Sequence, residues 1–299
     1  MSKVQHTEAR ESATFETGRG LKHLRYSSAQ GERDYTLFVP QACGRKPMPL
    51  IIMLHGCKQD AADFSLGTGM NVLAEKHGCL VAYPIQPRYA NPAKCWNWYR
   101  PMHQQRDMGE PSLIAGITRD IITDFDVDEA RVYVAGLSAG GAMAAIMIST
   151  YPDLYAAAGI HSGLPYRRAW GLLSALAAMK VGTLAPHAPP GAATWAPQRP
   201  LIVFHGDLDK TVHPSNGREL LLGFEGISTT VSQEVAEQAE GRRSTRRKLT
   251  PAAGVDAEHW VVHDAPHAWA GGEETGSYTD VTGPDASAEM MRFFLAHSK

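Results

Sequence analysis

The chain has 299 residues, is 43% hydrophobic and 20% charged, and carries a formal net charge of −2 at neutral pH. That balance is ordinary for a soluble globule and excludes the strongly basic footprint of a nucleic-acid or anionic-membrane partner. No window approaches the ~18 apolar residues needed to span a bilayer, and the polar start MSKVQHTEARESATFETGRG lacks the apolar stretch of a signal peptide.

As written, the chain therefore reads as cytoplasmic, or as a secreted or periplasmic mature form with its signal removed. Residues 1–19 read as a peripheral arm, and 20–299 as one large α/β domain. The segments LKHLRYSS (21–28) and DYTLFVP (34–40) read as two strands paired across AQGERD. PLIIMLHG (49–56) is a buried strand running into a loop at Gly56. Residues 60–78 read as one helix, from an N-cap at Asp60 to Gly78, and CLVAYP (79–84) as another buried strand. Residues 85–111 are rich in Pro, Asn and aromatics without helical period; long loops inside compact domains are usually functional. Leu113, Ile114, Ile117, Ile121 and Ile122 then fall at helical spacing, so 111–128 reads as helix.

The stretch RVYVAGLSAGGAMAAIMIST (131–150) organises the chain. It reads as a buried strand, a sharp turn at Ser138 and a helix. Gly136-Leu137-Ser138-Ala139-Gly140 fits G-x-S-x-G, the nucleophile elbow, which means something only between a strand and a helix. The turn forces the serine into strained geometry while small neighbours let strand and helix approach. The Ala139 amide, at the helix N-terminus, is then free to hold a developing oxyanion.

After the elbow, YAAAGIHSG (155–163) reads as a strand. Residues 164–199 read as a cap-like insertion near the active face, with one helix in AWGLLSALAAMK. PLIVFHGDLDKTVHP (200–214) is strand then loop, NGRELLLGFEG (216–226) a helix, EHWVVHDAPHAWAGG (258–272) strand then loop, and PDASAEMMRFFLAHS (284–298) a closing helix. The basic run GRRSTRRKL (241–249) reads as a solvated loop or edge strand rather than a binding patch. Strands alternating with helices imply a mostly parallel sheet, helices on both faces and right-handed crossovers.

A serine needs a base to take its proton, and the base needs a carboxylate to fix its tautomer. Behind a nucleophile elbow the order is Ser, Asp or Glu, then His. Asp207, Asp209 and Asp264 are the candidate acids; His213, His259, His263 and His267 are the candidate bases. Asp209 is preferred because it lies on the loop beyond its strand, where Asp207 is placed to cap the turn. His267 is preferred because it lies on a loop beside Pro266 and ahead of a Gly pair, while His259 and His263 fall within a strand. The amide of Cys57, in LHGC after an early strand, is the second candidate oxyanion donor, with His55 and Gly56 shaping the loop.

LHGC (54–57), CWNW (95–98), GLSAGG (136–141), HGDLDKTV (205–212), HAWAGG (267–272) and GPDAS (283–287) occur in the order found in the poly(3-hydroxybutyrate) depolymerase family of esterases, which this chain resembles from about residue 33 onward. The resemblance implies an α/β-hydrolase fold, a Ser138–Asp209–His267 triad, and carboxylesterase activity on polyhydroxyalkanoates, with feruloyl and acetylxylan esterases nearby. It also implies a Cys57–Cys95 bridge, which would pin loop 85–111 against the oxyanion loop and bring Trp96 and Trp98 near the acyl site; the rival is two free thiols. Trp269 is a third aromatic candidate for substrate contact.

The chain departs from the family in three ways. Ala270 stands where serine is common, Cys43 and Cys79 are additions, and no linker or polymer-adsorbing module follows the closing helix. The expectation is a serine esterase of short-chain or hydroxyalkanoate esters and oligomers, needing neither metal nor organic cofactor and attacking crystalline polymer poorly. A feruloyl or acetylxylan esterase is the alternative. A non-catalytic binding protein on the same fold is the rival of another class.

Overall fold

A computed structural model describes residues 20–41, 43–44, 46–182, 199–224, 229–236, 241–251 and 255–299. The arm at 1–19 and most of the second half of the cap-like segment, 183–198, lie outside the described residues. In chain order the strands are β1 Gly20–Ser28, β2 Gly31–Val39, β3 Met48–Leu54, β4 Leu80–Pro84, β5 Val127–Leu137, β6 Ala157–His161, β7 Leu201–Gly206, β8 Thr229–Ala236, β9 Ser244–Pro251, β10 Ala257–Val262, β11 Trp269–Ala270 and β12 Thr279–Asp280. The helices are α1 Ala61–Thr68, α2 Met70–His77, α3 Gly109–Asp124, α4 Ala139–Thr150, α5 Leu172–Val181, α6 Ser215–Glu219 and α7 Ala286–Leu295.

Ten strands form one sheet in the order β1-β2-β4-β3-β5-β6-β7-β10-β9-β8. From β4 through β10 every neighbouring pair is parallel, and the two ends are closed by antiparallel pairs. The central strands are buried along their whole length because helices cover both faces, as a parallel sheet requires. Alternation sends successive residues to opposite layers. Leu50, Ile52, Leu54, Val132 and Val134 pack with α3 and α4, whereas Ile51, Met53, Tyr133 and Ala135 pack with α1, α2 and α7. This is the α/β-hydrolase architecture. Among the described residues no helix is long and apolar enough to cross a membrane.

Three expectations are corrected. The helix expected over 60–78 is two helices, because Gly69 takes the left-handed conformation at φ +60° and ends the first. The helix expected over 216–226 shortens to α6 plus a 3₁₀ turn at Leu222–Phe224. The basic run at 241–249 is a loop only over its first three residues, and it is not an edge strand. It enters β9, which lies between β8 and β10, and two of its cations are paired: Arg246 with the buried Glu258 at 3.0 Å and Arg242, through Nε, with Asp280 at 2.5 Å.

Candidate active site

Ser138 stands between the end of β5 and the start of α4 with φ +57° and ψ −119°, a region a side chain enters only when its surroundings compel it. The compulsion is steric. A Cβ on Gly136 would overlap the backbone of Gly140, and a Cβ on Gly140 would overlap the carbonyl oxygens of Leu54 and His55. The two glycines therefore let α4 start directly against β5 and the end of β3. The Ser138 amide donates to the carbonyl of His161 at 2.9 Å, which fixes the turn to β6. The serine is 8% exposed, so its hydroxyl is reached only through the cleft it lines.

Asp209 and His267 come from the loops at the carboxyl ends of β7 and β10, neighbours in the sheet two and three strands from β5. His267 Nδ1 lies 2.6 Å from Asp209 Oδ2. The other carboxylate oxygen accepts the amides of Thr211 and Val212, both at 2.8 Å, so the acid is oriented by its own loop before the histidine is counted. His205 Nε2, which donates to the Val212 carbonyl at 2.9 Å, lies 3.5 Å from Asp209 Oδ2. Burial alone would push the Asp209 carboxyl up. The bonds from His205 and His267 outweigh it and hold the group below the usual carboxylate range, so it is an anion throughout the neutral range.

The competing pairs are accounted for. Asp207 accepts the Asp264 amide at 2.7 Å and lies 2.9 Å from His263 Nδ1; the other nitrogen of His263 meets Thr245 at 2.8 Å, so both faces of that imidazole are used on the surface. His213 is exposed and bonds Ser215. His259 is buried with both ring nitrogens unpartnered among the described residues, and burial pushes it down to about 3. Asp264 lies on the surface beyond β10 with φ +57°.

Gly56 and Cys57 follow β3. The Gly56 amide donates to Gln59 at 2.9 Å, the Lys58 amide to Ala93 at 2.7 Å, the Trp96 indole to the His55 carbonyl at 3.1 Å and the Gln86 amide to His55 Nε2 at 3.1 Å. Between these anchors the Cys57 amide has no acceptor among the described residues, and neither has that of Ala139. Cys57 and Cys95 are joined by a disulfide, while Cys43 and the buried Cys79 are free. Glu110 sits beneath the bridged loop and accepts from Gln86 Nε2, the Asn97 amide and Asn97 Nδ2 at 2.5, 2.7 and 2.6 Å. The long aromatic loop is thus tied by a buried carboxylate at its base and by a covalent bond at its tip.

These loops enclose a cleft of about 310 Å³ that contains Ser138 and Ala139. The disulfide, Trp98 and Tyr99 line it, with Leu164, Val212 and apolar side chains of α5. Of the three tryptophans proposed as substrate contacts, only Trp98 lines it. Trp96 is fully buried behind the loop, and Trp269 is buried against Phe64 and His161 with its indole donating to Ser287 at 3.0 Å. Both are core residues because their N–H groups are satisfied inside the protein.

His161 is the residue that sequence reasoning passed over. Its carbonyl takes the Ser138 amide and its Nε2 accepts the Ala270 amide at 3.0 Å, so one residue of β6 ties the elbow to the loop that carries His267. Burial, with His205 and His267 nearby, pushes it down to about 3, so it is a neutral acceptor there.

A family model described as "Esterase PHB depolymerase" matches residues 33–248. Poly(3-hydroxyalkanoate) depolymerase C of Paucimonas lemoignei is 34% identical over 61% of this chain and 46% of its own length. Feruloyl esterase B of Neurospora crassa is 31% identical over 65% of this chain and 70% of its own. The probable acetylxylan esterase A of Aspergillus fumigatus is 29% identical over 64% and 54%. The chain thus spans about half the length of two of these three relatives. Among solved structures, the acetyl xylan esterase from Aspergillus awamori superposes with a TM-score of 0.65 at 18% identity, covering 83% of this chain and 94% of that one. A thermostable esterase superposes with a TM-score of 0.53 at 19% identity, covering 93% and 63%. Both likenesses concern the fold.

Proposed function

The chain belongs to the esterase PHB depolymerase family, and from that premise we propose that it is a serine carboxylesterase of short-chain or hydroxyalkanoate esters and oligomers. The observation that carries the reading is the His267–Asp209 contact at 2.6 Å on the same rim of the sheet as the strained Ser138. Ser138 attacks the ester carbonyl, His267 takes its proton, and Asp209 holds the imidazole in the tautomer that can accept it. The amides of Cys57 and Ala139 hold the oxyanion; preorganised donors of this kind are worth ~3–4 kcal/mol each. The ester C–O bond then breaks as His267 returns the proton to the leaving alcohol, and water repeats the cycle on the acyl-enzyme.

The apolar walls of the cleft suit a short aliphatic acyl group, since pockets enclose small ligands largely in apolar side chains. Trp98 and Tyr99 in the cleft lining are the observation that keeps a feruloyl ester as the second reading. The test is a hydrolysis screen over p-nitrophenyl acetate to octanoate, 3-hydroxybutyrate dimer and trimer, methyl ferulate and acetylated xylan. Turnover of the short aliphatic and hydroxyalkanoate esters above the other two is the expected outcome. Methyl ferulate as the preferred substrate would transfer the assignment to the second reading, and no hydrolysis of any ester would contradict both.

A further inference from the structure

The two sides of the site differ in charge. The cleft that holds Ser138 and the oxyanion amides has no charged side chain in its lining. His267 itself lines a second, larger groove of about 490 Å³, together with Lys210, Arg242 and Asp264 among others, and Thr211 of this groove adjoins Val212 of the cleft. Lys210 is exposed, and its ammonium has no carboxylate partner among the described residues. Arg242 gives only its Nε to the buried Asp280, which leaves its two terminal nitrogens without a partner among the described residues.

Chemistry decides which part of the substrate meets each side. In acylation the carbonyl carbon bonds to Ser138, and the leaving oxygen must lie within reach of the histidine that protonates it. The acyl portion therefore occupies the apolar cleft, and the leaving alcohol the groove beside His267. In an ester of a hydroxy acid, the leaving alcohol is itself a hydroxy acid. Its oxygen takes the proton from His267, and its far end carries either a free carboxylate or the next ester of the chain.

We propose that the Lys210–Arg242 groove is a leaving-group subsite for that carboxylate, so that the enzyme works preferentially on the carboxyl-terminal bond of hydroxy-acid oligomers. The inference rests on the esterase reading above and adds a polarity to it: the bond cut first is the one whose leaving group bears the negative charge. Asp264 lines the same groove and works against the preference. The groove wall thus carries Lys210, Arg242 already paired through Nε with Asp280, and the opposing Asp264, and the charges of Lys210 and Asp264 can be moved independently.

The experiment compares the 3-hydroxybutyrate dimer as its free acid with the same dimer capped as a carboxamide, reading kcat/KM for the internal ester bond from the released monomer. The quantity is the acid-to-amide ratio. Wild type should favour the acid by about threefold to tenfold, the size that partly solvated charge pairs supply. Lys210→Gln should bring the ratio about threefold to fivefold closer to one. Asp264→Asn, which the left-handed φ of that residue accommodates, should raise it. Arg242 is kept, since removing it would strand the buried Asp280. Added salt should compress all three ratios. A wild-type ratio of one or below, or a ratio that stays put or moves in the same direction in both variants, overturns the subsite even if hydrolysis is brisk. A damaged fold lowers both rates together and leaves the ratio where it was, which counts against the proposal too. If wild type hydrolyses neither dimer yet turns over p-nitrophenyl acetate, the subsite falls and the esterase reading stands. If it hydrolyses no ester, both fall.

Discussion

The proposed nucleophile, Ser138, and the proposed base, His267, are held by different physics. Ser138 is positioned by the backbone: glycines where a Cβ would overlap main-chain atoms, a positive φ, and an amide bond to β6. His267 is positioned by side chains: a buried carboxylate that accepts two loop amides, and His205 behind it. The first arrangement is steric and indifferent to pH. The second is electrostatic and depends on which groups are ionised. Substitutions in the two regions should therefore fail in different ways, and that contrast can be broken or sharpened in turn.

The largest effect should come from the proposed nucleophile itself. Ser138→Ala removes an oxygen from a site whose shape the backbone already dictates. Turnover should drop on the order of 10⁶-fold, because members of a triad act as a unit, with an unchanged thermal melt. Activity within tenfold of wild type would place the nucleophile elsewhere. Asp209→Asn comes next, at about 10⁴-fold in kcat through the wrong imidazole tautomer. Asp207→Asn should lose little activity, since its partner His263 is a surface pair. The reverse ranking would show that the acid had been misassigned.

Gly140→Ala tests the steric half without touching a reacting atom. Its methyl group would collide with the Leu54 and His55 carbonyls, which cannot retreat from the middle of the sheet. A loss of more than about 4 kcal/mol, or failure to accumulate soluble protein, is the expected result. A stable, active variant would show that the elbow is looser than its geometry implies. The Cys57–Cys95 bridge closes a loop of 38 residues, so reducing it should cost about 4 kcal/mol by loop-closure entropy. Denaturant titration with and without reductant measures it, and equal midpoints would contradict the estimate.

The smallest effect isolates electrostatics. His259 is buried with both nitrogens unpartnered among the described residues, and burial pushes it down to about 3 from the ordinary 6.5. Between those values the unfolded chain takes up a proton that the folded chain refuses, so stability falls as pH drops from about 6.5 toward about 3. His55 and His161, pushed by burial to about 4 and about 3, add to the same slope. His259→Leu should flatten the acid limb by about one proton and raise stability near neutral pH by about 1 kcal/mol. An unaltered slope would show that His259 is not neutral in the folded state.

The sequence displayed the steric half of the site well and the electrostatic half poorly. G-x-S-x-G between an apolar strand and a small-residue helix is a local pattern, and the elbow is a local structure. Asp209 and His267 could be ranked by their position on loops, but His161 could not be found, because what it does is make contacts far along the chain. His161 reaches Ala270 over 109 residues of chain, through a backbone amide that no side-chain pattern encodes. The hairpin β8–β9 was hidden for another reason. It extends the sheet past the helices that cover its centre, so it carries Arg, Lys and Thr in place of the apolar run that marks a buried strand. Trp96 and Trp269 misled because an aromatic near a motif resembles a ligand contact until its indole N–H is traced to a partner in the core.

The central claim is that Ser138 is the nucleophile and that His267 with Asp209 makes it reactive. Fluorophosphonate labelling followed by peptide mapping tests both parts in one experiment. The account predicts a single adduct on the peptide containing Ser138, formed rapidly in wild type, slowly in Asp209→Asn and absent in Ser138→Ala. An adduct on another residue, or labelling of Asp209→Asn at the wild-type rate, would contradict it.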